Sequence, residues 1–264
     1  TYYGLLVRGI DIPEKIRYAI FVGVPRHKIS LSQVGYFPQN MLRLLTVISD
    51  VVQDQTLKET VIRLIARLRR LIRQTSADRI RVIVEKLAAG EAVEDKAATI
   101  IIEAHKAISS LLQDRAIIEA LKRYPKASIV EEGGALYILI PDAPTYIQAS
   151  GRTSRLFAGG VTTGLSIVLV DDQRLANGLE DRARLFIEDF ALKPLNSVDL
   201  DQVIKQIDGD RELVELVKSG RVVEDVTKQL RVRTVLFVVE SPNKARTIAS
   251  FFGRPTYREF DGLR

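Results

Sequence analysis

The chain has 264 residues, 46% of them hydrophobic, with no Cys, no Trp and one Met. That length has room for one large domain or two smaller ones with real apolar cores, and the lack of Cys excludes disulfides and cysteine-ligated zinc within it. The net charge of +6 is unevenly placed, and no run of about 18 apolar residues is free of charge, so no transmembrane helix is expected.

In chain order, the first patterned segment is Arg8–Pro13, RGIDIP. Gly9 permits close backbone approach to a ligand, and Asp11 offers a carboxylate beside it; a turn capped by Asp11 explains the same residues. The apolar run Tyr18–Val24, YAIFVGV, predicts a buried strand. Leu, Ile, Val and Ala at helical spacing predict helices over Gln39–Gln53 and Glu94–Tyr124, the latter stopped at Tyr124-Pro125. Between them, Lys58–Lys86 holds nine basic and three acidic residues, an excess equal to that of the whole chain. Val61, Ile62, Ile65, Leu68 and Ile72 form one helical stripe. Arg63, Arg67 and Arg70 share another face, which either binds DNA phosphates with a steep salt dependence or is simply solvated. His27 and His105 lack any neighbouring metal set and are assigned no role.

Ala135–Ile140, preceded by Gly133-Gly134, and Leu165–Val170 predict two further strands. Asp171-Asp172 reads as a helix-capping pair, with Arg174–Phe190 as the helix. Between the strands lies Tyr146–Arg155, YIQASGRTSR. Gln148, Gly151, Arg152 and Arg155 form Q-x-x-G-R-x-x-R, whose spacing on a helix aligns two guanidinium groups on one face. Such a pair can clamp a triphosphate; exposed arginines on a polar helix start are the alternative. Pro194–Arg233 is charged and predicts helices over Val198–Ile207 and Asp210–Ser219, with stops at Gly209 and Gly220. In Thr234–Gly253, TVLFVVESPNKARTIASFFG, an apolar strand ends at Glu240, Ser241 and Pro242 suit a helix start, and Gly253 suits its end.

The RGIDIP loop, the strand after it and Q-x-x-G-R-x-x-R resemble motifs V and VI of a superfamily 2 helicase, which line the nucleotide cleft from the second RecA-like domain. The strand–Glu–helix unit of Thr234–Gly253 resembles the start of the Toprim domain of type IA topoisomerases. Helicase motifs, a long intervening segment and a Toprim start, in that order, resemble the reverse gyrase family. The resemblance implies an α/β fold: a RecA-like parallel-sheet domain (1–36 and 129–190), a mainly helical latch-like insertion (37–128), a helical linker (191–232) and the first βα unit of a Toprim domain (233–264).

The same resemblance implies an ATP-dependent DNA topoisomerase that introduces positive supercoils, with ATP and Mg²⁺ as cofactors and any zinc bound outside this segment. Arg152 and Arg155 would reach the nucleotide phosphates as arginine fingers, Gln148 would couple nucleotide state to the strand path, Gly151 would belong to the nucleotide site, and Gly9 and Asp11 would close the cleft. Glu240 would be the catalytic carboxylate and metal ligand of the cleavage site. Lys244, with Arg63, Arg67 and Arg70, would bind DNA. No G-x-x-x-x-G-K-[ST] loop and no Toprim D-x-D pair are present, and no tyrosine stands in a recognisable nucleophile context. The chain is therefore expected to be a piece of a longer polypeptide, inactive by itself. Its partners would be double- and single-stranded DNA and the remaining helicase and topoisomerase domains. No membrane contact is expected. A cytoplasmic location and a hot-growing source are expected, the latter in keeping with 26 arginines against 13 lysines. A superfamily 2 DNA or RNA helicase fragment, or a non-catalytic nucleic-acid-binding α/β module, are the alternatives.

Overall fold

The computed structural model describes residues 16–154, 156–157, 160–219 and 247–248. The chain divides into two compact units. One comprises Val22–Pro144 and Val168–Leu192; the other gathers the described residues of Thr1–Phe21, Thr145–Ile167 and Lys193–Arg264.

Strand β1 spans Tyr18–Val22. It is less covered than its apolar sequence predicts: Ile20 is 63% and Val22 81% exposed, while Phe21 is buried. Strand β2, Arg26–Ser30, opens with three consecutive polar residues, Arg26, His27 and Lys28, that hide it from an apolar-run search. Five helices follow: α1 Pro38–Val51, α2 Gln55–Gln74, α3 Ala77–Ala88, α4 Lys96–Leu111 and α5 Arg115–Arg123. The basic stretch Lys58–Lys86 thus spans two helices. Thr75 ends α2 in extended conformation and the Ser76 hydroxyl accepts from the Arg79 N–H, starting α3. Asp54, Asp95 and Asp114 cap α2, α4 and α5 in the same way, at 2.7–2.8 Å. Asp114 also divides the segment Glu94–Tyr124, which reads as one helix in the sequence, because a cap at that position satisfies a new helix start.

Strands β3 (Ser128–Glu132) and β4 (Ala135–Pro141) form a hairpin. Its turn, Gly133-Gly134, has φ of 59° and 77°, the left-handed pair that two-residue hairpins favour. The sheet order is β2-β4-β3, antiparallel throughout. Ile138 of β4 stands opposite both Ile29 and Ile129 and is fully buried. The same apolar cluster takes in Met41, Leu44 and Ile48 of α1, Leu68 of α2, Ile101 and Ile108 of α4 and Leu121 of α5. The five helices and this sheet therefore share one core.

Helix α6 spans Ala143–Ser150, and two short strands, β5 Leu156–Phe157 and β6 Gly160–Val161, pair antiparallel after it. Strand β7, Leu165–Leu169, pairs with β1. Arg17 C=O accepts from Leu165 N–H, and Leu169 C=O accepts from Gly23 N–H; partners that advance together make the pair parallel. The fold is thus mixed α/β with a parallel sheet. Helix α7, Gln173–Ala183, is shorter than its predicted range, leaving Leu185 82% and Phe186 63% exposed beyond it. Helix α8, Leu200–Lys218, runs unbroken through Gly209, where two helices were expected. A glycine inside a helix costs only about 1 kcal/mol, less than the contacts of the residues beside it supply.

Those contacts centre on Arg211, 2% exposed. Its guanidinium donates to Thr162 Oγ1 (2.8 Å) and to the carbonyls of Ile16 (3.2 Å), Thr153 (2.5 Å) and Thr163 (3.4 Å). Asp210 accepts from the Thr163 N–H at 2.5 Å, and Asp208 pairs with Arg17. Gly164 lies so close to Thr153 that a Cβ would strike the threonine hydroxyl and carbonyl oxygens.

Asp171 and Asp172 act as structural carboxylates. Asp171 accepts from the Val24 N–H at 3.0 Å and pairs with Arg26. Asp172 accepts from the Arg174 N–H at 2.8 Å, starting α7, and from the Ser128 hydroxyl. Partial burial works against ionisation of Asp172, but Ser128 and the Arg174 N–H and charge outweigh it and hold the carboxyl below its ordinary value. Such a group adds stability that is complete above the ordinary aspartate value and is lost as the pH falls through the lowered one. Asp172→Ala should cost about 1–2 kcal/mol at neutral pH, and that cost should shrink in strong acid. Urea unfolding of both chains between neutral and acid pH measures it.

Two glycine substitutions separate close packing from helix propensity. Gly164→Ala should lower stability by about 1–3 kcal/mol, a drop of several degrees in Tm. Gly209→Ala, with nothing within 4 Å of the added carbon, should raise stability by about 0.5–1 kcal/mol. Thermal melting followed by circular dichroism reads both.

Candidate functional site

The Q-x-x-G-R segment sits at the carboxyl end of α6. Tyr146, two residues before Gln148, is buried and packs on Phe21 with ring centroids 5.0 Å apart. Ser150 Oγ lies 2.8 Å from Ser166 Oγ on β7. These two contacts face α6 inward on one side, while Gln148 and Gly151 stay exposed and Arg152 is half-buried.

Helix α6 stops at Ser150. Gly151 N–H donates to Ile147 C=O at 2.8 Å, Arg152 N–H to Ala149 C=O at 3.1 Å and Thr153 N–H to Ser150 C=O at 3.0 Å. The Thr153 hydroxyl donates to the same Ser150 carbonyl at 2.8 Å. A side chain that takes up a last-turn carbonyl ends the helix there, so Arg152 projects from a turn. Gly151 has no left-handed φ to explain it, and a Cβ there would meet the Ile147 carbonyl at 3.1 Å and the Gln148 carbonyl at 3.7 Å. Arg155 lies outside the described residues, as do Gly9, Asp11, Glu240 and Lys244.

Thr153 links this turn to the Arg211 cluster, since its carbonyl is one of the guanidinium's acceptors. Sequence reading missed Arg211 because it lies in a charged helical stretch that looks like a linker. A buried arginine leaves no local pattern; only the acceptors brought to it by the fold identify it.

Arg63, Arg67 and Arg70 line one exposed side of α2, opposite buried Val61, Leu64, Leu68 and Leu71. Arg67 pairs with Glu103 of α4 at 2.5 Å, and Arg63 donates to Thr60 Oγ1 at 3.3 Å. On the neighbouring helix, Arg79 pairs with Asp95 at 2.7 Å and Arg81 with Asp78 at 3.3 Å. The basic face is therefore real but partly answered by acidic neighbours.

Both histidines are held by packing. His105 Nε2 lies 2.8 Å from the Val34 carbonyl and its ring stacks on Tyr36 at 4.4 Å. His27 Nε2 is 3.3 Å from Asp142 and lines a cavity of about 200 Å³ with Arg43, Arg182 and Phe186. Nearby, burial pushes the Tyr124 phenol above its ordinary value, helped by the Asp50 carboxylate that accepts its proton at 2.5 Å. Burial also lowers the Arg182 guanidinium. Among the described residues no group of three or more His, Asp or Glu side chains is arranged to hold a metal, and no helix is long and apolar enough to cross a membrane.

No protein-family model matches the chain. Individual proteins do. The reverse gyrase of Pyrococcus horikoshii is 44% identical over 266 aligned residues, covering 100% of this chain and 16% of that protein. That of Pyrococcus furiosus is 43% identical, covering 100% of the chain and 22% of its own length. Reverse gyrase 1 of Aquifex aeolicus is 36% identical over 98% of the chain and 22% of its own length. The chain thus spans well under a quarter of the curated relatives it matches. With the match running end to end across such distant relatives, the chain belongs to the reverse gyrase family, as a segment of that longer protein.

Proposed function

We propose that this segment serves an ATP-dependent DNA topoisomerase as the side of the helicase-like half that faces the nucleotide in trans, and as the start of the connection to the strand-cleaving half. The observation that carries the reading is the alignment of the whole chain, including Gln148–Arg155 and Glu240, with proteins named reverse gyrase. The exposed Gln148 of α6 and the half-buried Arg152 just beyond it are residue types that suit a phosphate-bearing ligand, because a guanidinium fork matches phosphate oxygens.

In this reading ATP, with Mg²⁺, supplies the free energy that drives the change of DNA topology. Arg152 and Arg155 stabilise negative charge that builds on the phosphates, a contribution on the order of 10³–10⁵ in rate for a single arginine finger. Gln148 couples nucleotide state to the path of the DNA strand, and Gly9 and Asp11 close the cleft. Glu240 handles a proton at the cleaved DNA strand and supports the metal there. Lys244, Arg63, Arg67 and Arg70 contact DNA phosphates, and the helices of 37–128 act as a latch between the two halves. A cytoplasmic, heat-adapted enzyme with double- and single-stranded DNA and its own remaining domains as partners completes the proposal.

The two chemistries separate by mutation in the full-length enzyme. Arg152→Ala should abolish ATP turnover, and with it positive supercoiling of relaxed plasmid at high temperature, while DNA binding stays nearly intact. Glu240→Gln should abolish strand cleavage and spare DNA-stimulated ATPase activity. Retained ATP turnover in the first variant removes the nucleotide role, and normal cleavage in the second removes the Toprim role.

A titration of salt tests the basic face. Replacing Arg63, Arg67 and Arg70 together by Ala should weaken DNA binding and flatten the plot of log K against log salt by about two to three units for three lost phosphate contacts. The ion pair of Arg67 with Glu103 puts its own share at the low end. An unchanged slope assigns this face to solvent.

A further inference from the structure

We infer that Arg211 is a positioning residue that ties α8 to the turn carrying Arg152, so that the nucleotide-facing arginine and the helix leading toward the rest of the chain are held by one buried cation. The inference rests on the nucleotide role proposed above for Arg152.

A guanidinium at 2% exposure is costly to desolvate and stays charged, so it demands acceptors. Here they come from three places far apart in sequence: Ile16, just before β1; Thr153, the residue after Arg152; and Thr162 with Thr163, just before Gly164. Thr153 is fixed in turn. Its N–H and hydroxyl both hold the Ser150 carbonyl, and Gly164 packs against it with no room for a Cβ. Arg152 is one peptide from that point. Its backbone cannot shift appreciably without drawing the Thr153 carbonyl away from Arg211.

The helix side is equally constrained. Asp208 pairs with Arg17 and Asp210 accepts from the Thr163 N–H, so three residues within one turn of α8 grip the same three segments. A register slip of α8 by a single residue would break all of these bonds together. Ile207 and Val214, buried on the same helix, supply apolar contact that holds α8 down but fixes no register. The polar residues are what make the attachment specific.

The test uses the full-length enzyme with Arg211→Met, Arg211→Lys and Arg152→Ala side by side, measuring Tm and the kcat and KM of DNA-stimulated ATP hydrolysis. Arg211→Met should lower kcat about tenfold with KM for ATP within about twofold, the signature of a lost transition-state arrangement. Arg211→Lys should recover part of kcat, since an ammonium reaches one or two of the acceptors but not the whole set. A fall in Tm with kcat and KM unchanged in the folded enzyme would make Arg211 purely structural and overturn the inference. If Arg211→Met does not fold, Thr162→Val removes one acceptor and keeps the shape; a kcat drop of about threefold at constant KM is expected, and an unchanged kcat overturns the inference. Arg152→Ala keeps the two proposals distinguishable. Abolished turnover there with normal kcat in the Arg211 variants defeats only the inference, whereas normal turnover in Arg152→Ala defeats the nucleotide role itself.

Discussion

A charge taken out of water must be met inside, and the unit that carries the Q-x-x-G-R segment is arranged around that demand. Removing a guanidinium from solvent costs several kcal/mol unless hydrogen bonds replace the lost hydration. The replacements for Arg211 are mostly backbone carbonyls, which belong to segments with no regular ladder of their own at those points. Chain direction, turn shape and the glycine at 164 are therefore tied to one side chain. Apolar packing alone would tolerate small slips here; directional bonds to a rigid fork do not.

The larger unit follows a different logic. Its core is apolar and continuous, from Met41 and Leu44 through Ile101 to Ile138, and its polar detail lies at the element ends. Aspartates cap four of its helices and a Gly-Gly turn closes its hairpin. Each device ends or starts an element without adding to the core, so the helices can be short and closely spaced. The cationic side of α2 is what remains once Val61, Leu64, Leu68 and Leu71 are turned inward. Its spacing follows from the helix period, and that is why it was legible.

Much of this was readable in advance, and the failures have physical causes. Apolar periodicity located α1, α2 and α4, and apolar runs located β1, β4 and β7, because those signals record which side meets a core. The same signal overstated the cover on β1, since a run of β-formers says nothing about what lies over Ile20 and Val22. It missed β2, whose Arg26, His27 and Lys28 hide a strand that gains its place only after folding, from hydrogen bonding to β4, which is far away in sequence. Caps were under-weighted within long periodic stretches: Ser76 and Asp114 each divide what the pattern joins. Gly209 was over-weighted, because a glycine stops a helix only when the flanking residues have nothing to gain by continuing. At the candidate site, residue types were legible but placement was not: Thr153 ends α6 with its own hydroxyl, and no spacing rule foresees that.

Among the described residues, the arginines of α2, Arg152 and Arg211 differ in their surroundings. On α2 they are solvated, interchangeable with their neighbours and partly paired, so they can contribute only a salt-sensitive, additive attraction. Just beyond α6, Arg152 is half-buried in a short turn. On α8, Arg211 is enclosed and committed to main-chain acceptors, leaving it no ligand to recruit. The proposed nucleotide role belongs to the middle setting, one peptide from the Thr153 carbonyl that Arg211 holds. A basic residue count along the sequence would rank α2 first; burial and bonding reverse that order.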